Sequence, residues 1–302
     1  MKKFAFFTFV AVIITVVVCG ALLVSVLSPK EHVVPVSSGE RWFESGIAVS
    51  ESETEASFES GFSALEVGGN SGKIISWGLG GYGNERIPSA PPGSLDLLKK
   101  YDGLYVVEGE KEVVKKVYLT FDLGYEAGYT DEVLDVLKEH DIKAVFFLCG
   151  HYLKQDELVA RMINEGHVIG NHTNMHKDLP MLSNDGIVDD IDSFTKMFDE
   201  KYGEAYGKKM TLFRPGRGRM CERTVRLASE LGYRTVMWSS AIVDWGKEAI
   251  DAEKSASKVM ERIHAGNVML FHISNSGMPK MLELLVPRVL EAGYEFGDVW
   301  GI

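Results

Sequence analysis

Apolar residues fall into short runs that alternate with longer amphipathic stretches from residue 117 to the C-terminus. The runs are Val117–Phe121, Ala144–Leu148, His167–Gly170, Leu212–Phe213, Thr235–Trp238 and Val268–Phe271. After each comes a stretch with apolar residues at helical spacing: Thr130–Asp141, Lys154–Glu165, Asn184–Tyr202, Glu222–Leu231, Ala252–His264 and Pro279–Ala292. Runs too short for a helix, each followed by a helix, predict β/α units and a parallel sheet. Six or seven units in about 190 residues predict an α/β barrel, closed or incomplete. An open doubly wound sheet is the second option, although no Gly-x-Gly-x-x-Gly opens the first helix. Upstream, Ile74–Trp77 and the proline-rich Ile87–Pro92 lead to a short helical segment, Ser94–Tyr101.

The N-terminal part has a different pattern. Lys2 and Lys3 precede an uncharged, mostly apolar run from Phe4 to Leu27. A run of about 20 apolar residues is long enough to span a bilayer as a helix. It predicts a single-pass signal anchor over residues 1–27, with the lysines cytoplasmic and the remainder extracytoplasmic at the cell membrane. A cleaved signal peptide, giving a secreted protein, is the alternative. Residues 28–72 are rich in Ser, Gly and Glu without a sustained period, and read as a flexible linker. The folded domain is then 73–302.

Composition narrows the function. Of 302 residues, 45% are hydrophobic and 25% charged, as in ordinary globular proteins. A mean hydropathy of −0.01 excludes a polytopic membrane protein. The net charge of −11, with no basic stripe, excludes a nucleic-acid partner. Three cysteines exclude a disulfide scaffold and a four-cysteine zinc site. No feature singles out a protein partner.

In β/α folds, reactive residues lie just past the carboxyl ends of the strands. Asp122 follows the first run, His172 and His176 the third, Arg214 the fourth, Asp244 the fifth and His272 the sixth. His172 and His176, four apart, share a face if they sit on a helical turn, and can then reach one cation. Alone, such a pair is more often two ordinary surface histidines; beside four other strand-end polar residues it reads as metal-binding. Two histidines leave a tetrahedral shell incomplete, so water or a further ligand completes it. Asp122 can act as general base, with Arg214 keeping it ionised. His272 can act as general acid, with Asp244 orienting it and raising its pKa. No Gly-x-Ser-x-Gly elbow is present. His167 and His264, beside strand starts, read as structural.

Five segments, in order, resemble the motifs of the polysaccharide deacetylases of carbohydrate esterase family 4, the NodB homology domain. They are Thr120-Phe121-Asp122-Leu123-Gly124, His172-Thr173-Asn174-Met175-His176, Arg214-Pro215-Gly216-Arg217-Gly218, Asp244-Trp245 and Leu270-Phe271-His272. Gly124-Tyr125-Glu126 and Glu165 to His172 are most similar to the delta-lactam-biosynthetic de-N-acetylases of spore-forming bacteria. The resemblance implies a distorted, incomplete β/α barrel. It implies a hydrolase that removes N-acetyl groups from a glycan, through a divalent metal such as zinc. It assigns Asp122 as base, His172 and His176 as metal ligands, Arg214 as the residue positioning the base, His272 as acid and Asp244 as its tuner. It places the backbone N–H of Tyr125 at the oxyanion, and Trp245 and Leu270 around the acetyl group.

For this subgroup the implied substrate is N-acetylmuramic acid that has lost its peptide, in the peptidoglycan strand, leading to muramic delta-lactam in spore cortex. Deacetylation of N-acetylglucosamine or a chitin-like glycan is the alternative. So is a catalytically impaired glycan-binding homologue, suggested by Leu123, one of three places where the sequence departs from the family. Leu123 stands where the second, metal-binding Asp is usual. Gly216 stands where the second Pro of the third motif is usual, and Ala241 where the first Asp of the fourth is.

Overall fold

Val117, Leu119, Phe121 and Leu123 alternate with Tyr118, Thr120 and Asp122, and the chain is extended over that whole stretch. The computed structural model describes residues 72–109, 115–246 and 248–302. The predicted anchor, and the predicted linker apart from Gly72, lie outside the described residues. Among the described residues no helix is long and apolar enough to cross a membrane.

In chain order the elements are β1 (Ile75–Ser76), α1 (Ser94–Lys100), β2 (Lys115–Leu123), α2 (Thr130–Glu139), β3 (Val145–Leu148) and α3 (Asp156–Asn164). They continue with β4 (Val168–Asn171), α4 (Asn184–Tyr206), β5 (Leu212–Phe213), β6 (Arg219–Met220), α5 (Glu222–Glu230) and β7 (Arg234–Thr235). The last are β8 (Ser240–Ala241), α6 (Ala252–Glu261), β9 (Asn267–His272), α7 (Met278–Glu291) and β10 (Tyr294–Phe296). The sheet runs β7-β5-β4-β3-β2-β9-β8, with β10 also pairing β2. All its pairings are parallel. No β7–β8 pairing closes the ring among the described residues, so the barrel is incomplete, as predicted. Backbone hydrogen bonds from Leu104 to Thr235 and from Val107 to Gly266 lay a segment along the opening.

Two periodicities place the core. Val117, Leu119, Phe121 and Leu123 of β2 face the helices, where Phe121 lies 5.1 Å from Phe146 and 6.0 Å from Phe271 between ring centroids. Successive strand residues point to opposite faces. Tyr118 therefore packs on the other face with Val145, Phe147, Val268 and Leu270. Thr120 and Asp122 share that inner face, as does His272, two residues after Leu270. In the parallel register Asp122 lies opposite His272. The inner face is thus apolar through most of its depth and polar at the rim where the strands end.

Three pieces differ from the sequence reading. The run Thr235–Trp238 divides into β7, a bridge at Val236, and β8 further on. Lys154 belongs to a 3-10 turn, Gly150–Lys154, that precedes α3. β10 and the antiparallel β1–β6 pair carry no alternation long enough to read, being three and two residues long.

Candidate active site

Asp122 sits at the rim with one carboxylate oxygen held and the other open toward His172. Oδ1 accepts a hydrogen bond from Arg214 Nη1 at 2.7 Å, and Oδ2 lies 3.6 Å from His172 Nε2. Arg214 is fully buried. Its Nε donates to the Val236 carbonyl and Nη1 also donates to Thr120 Oγ1, both at 2.9 Å. Its guanidinium lies over the Phe147 ring at 4.2 Å. Burial pushes the Asp122 carboxyl up, but the Arg214 charge, with His172 and His272, outweighs it and holds the pKa below the ordinary value. The carboxylate is therefore ionised and fixed in direction.

His172 Nδ1 lies 2.8 Å from the Arg214 carbonyl oxygen. A carbonyl only accepts, so Nδ1 carries the proton and Nε2 presents a lone pair. The ring centroids of His172 and His176 are 5.0 Å apart. Burial lowers the pKa of His172. Burial, reinforced by the neighbouring His172 imidazole and the Arg217 charge, lowers that of His176 to about 3. Both imidazoles are neutral at neutral pH.

The helical turn expected for this pair is not formed. Thr173 and His176 have φ of 70° and 50°, in the left-handed region. The loop is shaped by α4 instead. Asp190 accepts from Met175 N through Oδ1 at 2.9 Å and from Asn174 N through its carbonyl at 2.8 Å. Asn171 Oδ1 accepts from Thr173 N, while its Nδ2 donates to the Ile191 carbonyl. Long-range partners thus bring the two rings together, and local helix geometry plays no part.

On the other flank, Asp244 is fully buried and receives His272 N at 2.6 Å and His272 Nδ1 at 2.9 Å. Nε2 is the nitrogen left for a ligand, and 33% of the His272 side chain is open to solvent. Burial disfavours the imidazolium, but the Asp244 carboxylate outweighs this and raises the His272 pKa. Tyr125 and Trp245 stand exposed on the rim, Trp245 at 61%, while Leu270 is buried among the inner-face apolar residues. Glu126 accepts backbone hydrogen bonds from Gly128 and Tyr129 and side-chain ones from Thr130 and Tyr152, which anchors the loop behind Tyr125. His167 and His264 are buried at the strand-start end, away from this rim.

The polysaccharide deacetylase family model matches residues 109–236. The peptidoglycan-N-acetylmuramic acid deacetylase PdaA of Bacillus subtilis is 37% identical over 228 residues, 74% of this chain and 84% of that one. The chain belongs to the polysaccharide deacetylase family. The solved structure of Bacillus subtilis PdaA, a family 4 carbohydrate esterase, superposes with a TM-score of 0.68 at 35% identity, covering 76% of this chain and 96% of that one. A peptidoglycan-N-acetylglucosamine deacetylase of Bacillus cereus is 32% identical over 186 residues, 60% of this chain and 66% of that one. The protein is accordingly a hydrolase, and its parallel half-barrel is that of the family.

The family's divalent metal has a partial set of donors here. Among the described residues no three His, Cys, Asp or Glu side chains cluster as a metal site. Yet the His172 lone pair and the Asp122 carboxylate face each other across 3.6 Å with no proton between them, and His176 is close by. Two acceptors so opposed fit a cation, and neutral imidazoles are the form that ligates. Gly216 adds to the fit: a Cβ there would lie 3.0 Å from His176 Cδ2. The glycine that replaces the usual proline therefore gives the ring room.

Leu123 is part of the helix-facing core, buried among apolar side chains. In chelator-treated protein, Leu123→Asp is expected to lower stability by about 2–5 kcal/mol, as loss of a buried leucine does. Urea unfolding measures this, and a neutral result would show that the side chain is not core. Sequence reading missed Asp190 and Thr120. Asp190 is one of several acidic residues on α4, and only its burial sets it apart. Thr120 lies on an apolar strand, where the period of two was the available signal.

Proposed function

We propose that the enzyme removes the N-acetyl group of peptidoglycan N-acetylmuramic acid that has lost its peptide. The observation that carries the chemistry is the pairing at one rim of an ionised, arginine-held carboxylate with an imidazole held by its own carboxylate. Such a pair, with pKa values pushed apart, suits a base and an acid. The likeness to PdaA supports the muramic acid substrate. The apolar run of residues 4–27 supports a membrane-anchored form with the catalytic domain outside the membrane, where peptidoglycan lies.

Asp122 takes a proton from the water that attacks the acetamide carbonyl carbon. His272, through Nε2, gives a proton to the departing nitrogen as the C–N bond breaks. The products are acetate and a free amine, which can close a delta-lactam with the lactyl carboxylate, losing water. A divalent cation bound at His172 and His176 would polarise the acetamide carbonyl. Arg214 keeps Asp122 ionised and aimed, Asp244 fixes the tautomer of His272, and the Tyr125 N–H faces the developing oxyanion.

The test is acetate release by the full-length protein in detergent, from peptide-free muramic strands, peptide-bearing strands and N-acetylglucosamine oligomers, with zinc and with chelator. Metal-dependent release from peptide-free strands is expected. Release only from the glucosamine oligomers would transfer the activity to that substrate. Glycan binding without release from any substrate would identify an impaired homologue.

Asp244→Asn gives a prediction on pH. As the acid, His272 must be protonated, so activity is lost as pH rises through its pKa. Asp244 raises that pKa. The variant should therefore lose activity at a lower pH than the wild type, with kcat reduced. An alkaline limb that stays in place would remove Asp244 from this role.

A further inference from the structure

One charged side chain at the rim has no role in the account above beyond its electrostatic effect on His176. Arg217 lies in a short 3-10 turn, Gly216–Gly218, directly after Pro215. Its neighbour Gly216 packs against the His176 ring. The backbone of Arg217 is left-handed, with φ 61° and ψ 11°. That conformation strains a residue bearing a Cβ, and such residues gather at functional sites. Three of the non-glycine residues with positive φ, Thr173, His176 and Arg217, belong to this one rim.

The guanidinium of Arg217 is exposed and pairs with no group among the described residues. The arginines around it are all engaged. Arg214 holds Asp122, Arg219 holds Asp178, and Arg223 donates to Asn184 and the Pro180 carbonyl. Among the described residues, the positive charge at 217 is therefore not used to hold the fold together. It also stands in a chain of net charge −11, which repels an anionic substrate at long range.

We propose that Arg217 determines substrate specificity by binding the lactyl carboxylate of peptide-free muramic acid. This rests on the muramic acid reading above. Muramic acid differs from glucosamine by a lactyl ether on the carbon next to the one that bears the acetamide. A bound peptide turns the lactyl carboxylate into a neutral amide; removing the peptide restores a negative charge within a few bonds of the reacting group. A guanidinium matches a carboxylate with two parallel hydrogen bonds, which an amide cannot receive. One arginine beside His176 would thus select both for muramic acid and for loss of the peptide.

The experiment compares the full-length wild type with Arg217→Asn and Arg217→Lys. Asparagine accepts the left-handed backbone, so the turn is kept. Two muramic substrates are compared, peptide-free strands and the same strands with the lactyl carboxylate converted to its methylamide, with N-acetylglucosamine oligomers as a control. The wild type should prefer the free acid. Arg217→Asn should lower kcat/KM on the free acid by about 10- to 100-fold through KM, as loss of a charged hydrogen bond does. The preference between the two substrates should fall to near one, with Arg217→Lys in between. The wild-type KM on the free acid should rise with salt more steeply than that of Arg217→Asn.

A preference kept by Arg217→Asn, or equal losses on both substrates, would overturn the role of Arg217 and leave the muramic acid reading standing. A wild type that releases acetate only from glucosamine oligomers would overturn that reading and this inference together.

Discussion

Asp122→Asn is expected to lower acetate release by about a hundred- to ten-thousand-fold, the usual contribution of a positioned general base. Asparagine keeps the size of the side chain and an oxygen to accept from Arg214, which reaches Asp122 at 2.7 Å. It cannot take a proton from water. The loss should therefore appear in kcat, with little change in KM, because the substrate contacts of the rim remain. The substitution also leaves the Arg214 charge without its counter-charge, so the fold is weakened. The assay belongs well below the variant's unfolding midpoint, with circular dichroism as the check. A folded Asp122→Asn protein that retained wild-type kcat would remove Asp122 as the base.

Arg214→Met carries the second large effect, on stability. Methionine fills much of the arginine's volume but supplies no charge. Asp122 is then a buried carboxylate whose main counter-charge has gone, and breaking such a pair costs about 3–5 kcal/mol. The dependence on pH gives the sign. In the wild type the Asp122 pKa is held below its ordinary value. Its contribution is therefore present above the unfolded pKa of about 3.9 and is lost as pH falls through the folded pKa. In the variant burial prevails, the folded pKa lies above the unfolded one, and stability falls as pH rises through that interval. The deficit should thus grow from pH 4 to pH 7. Urea unfolding of chelator-treated protein at the two values measures it. A deficit that shrank with rising pH would contradict the account of Asp122 as a carboxylate ionised by its arginine.

Much of the site was legible because strand ends are legible. Asp122 and His272 each close a strongly apolar run, and in a parallel sheet such ends meet at one rim. Their register as neighbours follows from the two strands being adjacent, which the order of runs alone does not state. The two rings do come together, 5.0 Å apart, but the path of the chain between His172 and His176 was not legible. A spacing of four suggested a helical turn, but the loop has two left-handed residues, held by Asp190 on α4 and by Asn171. Arg217 was visible only as an unexplained member of its motif. What sets it apart is the absence of a partner among the described residues, and partners are a property of the folded chain.

Local pattern by itself determined the alternation of the main strands and helices, the parallel sheet, and the polar residues that close the strands at the rim; the hydrolase family came from the resemblance of five motifs. Local pattern did so because alternation, helical spacing and polarity at the end of a run all act over a few residues. Only the tertiary structure decided that Leu123 belongs to the core, that Arg214 is fully buried against Asp122, and that the two histidines stand on a strained loop. Those outcomes depend on groups far apart in the chain, such as the 92 residues between Asp122 and Arg214. Burial and charge pairing at that separation are set by packing, which no local pattern encodes.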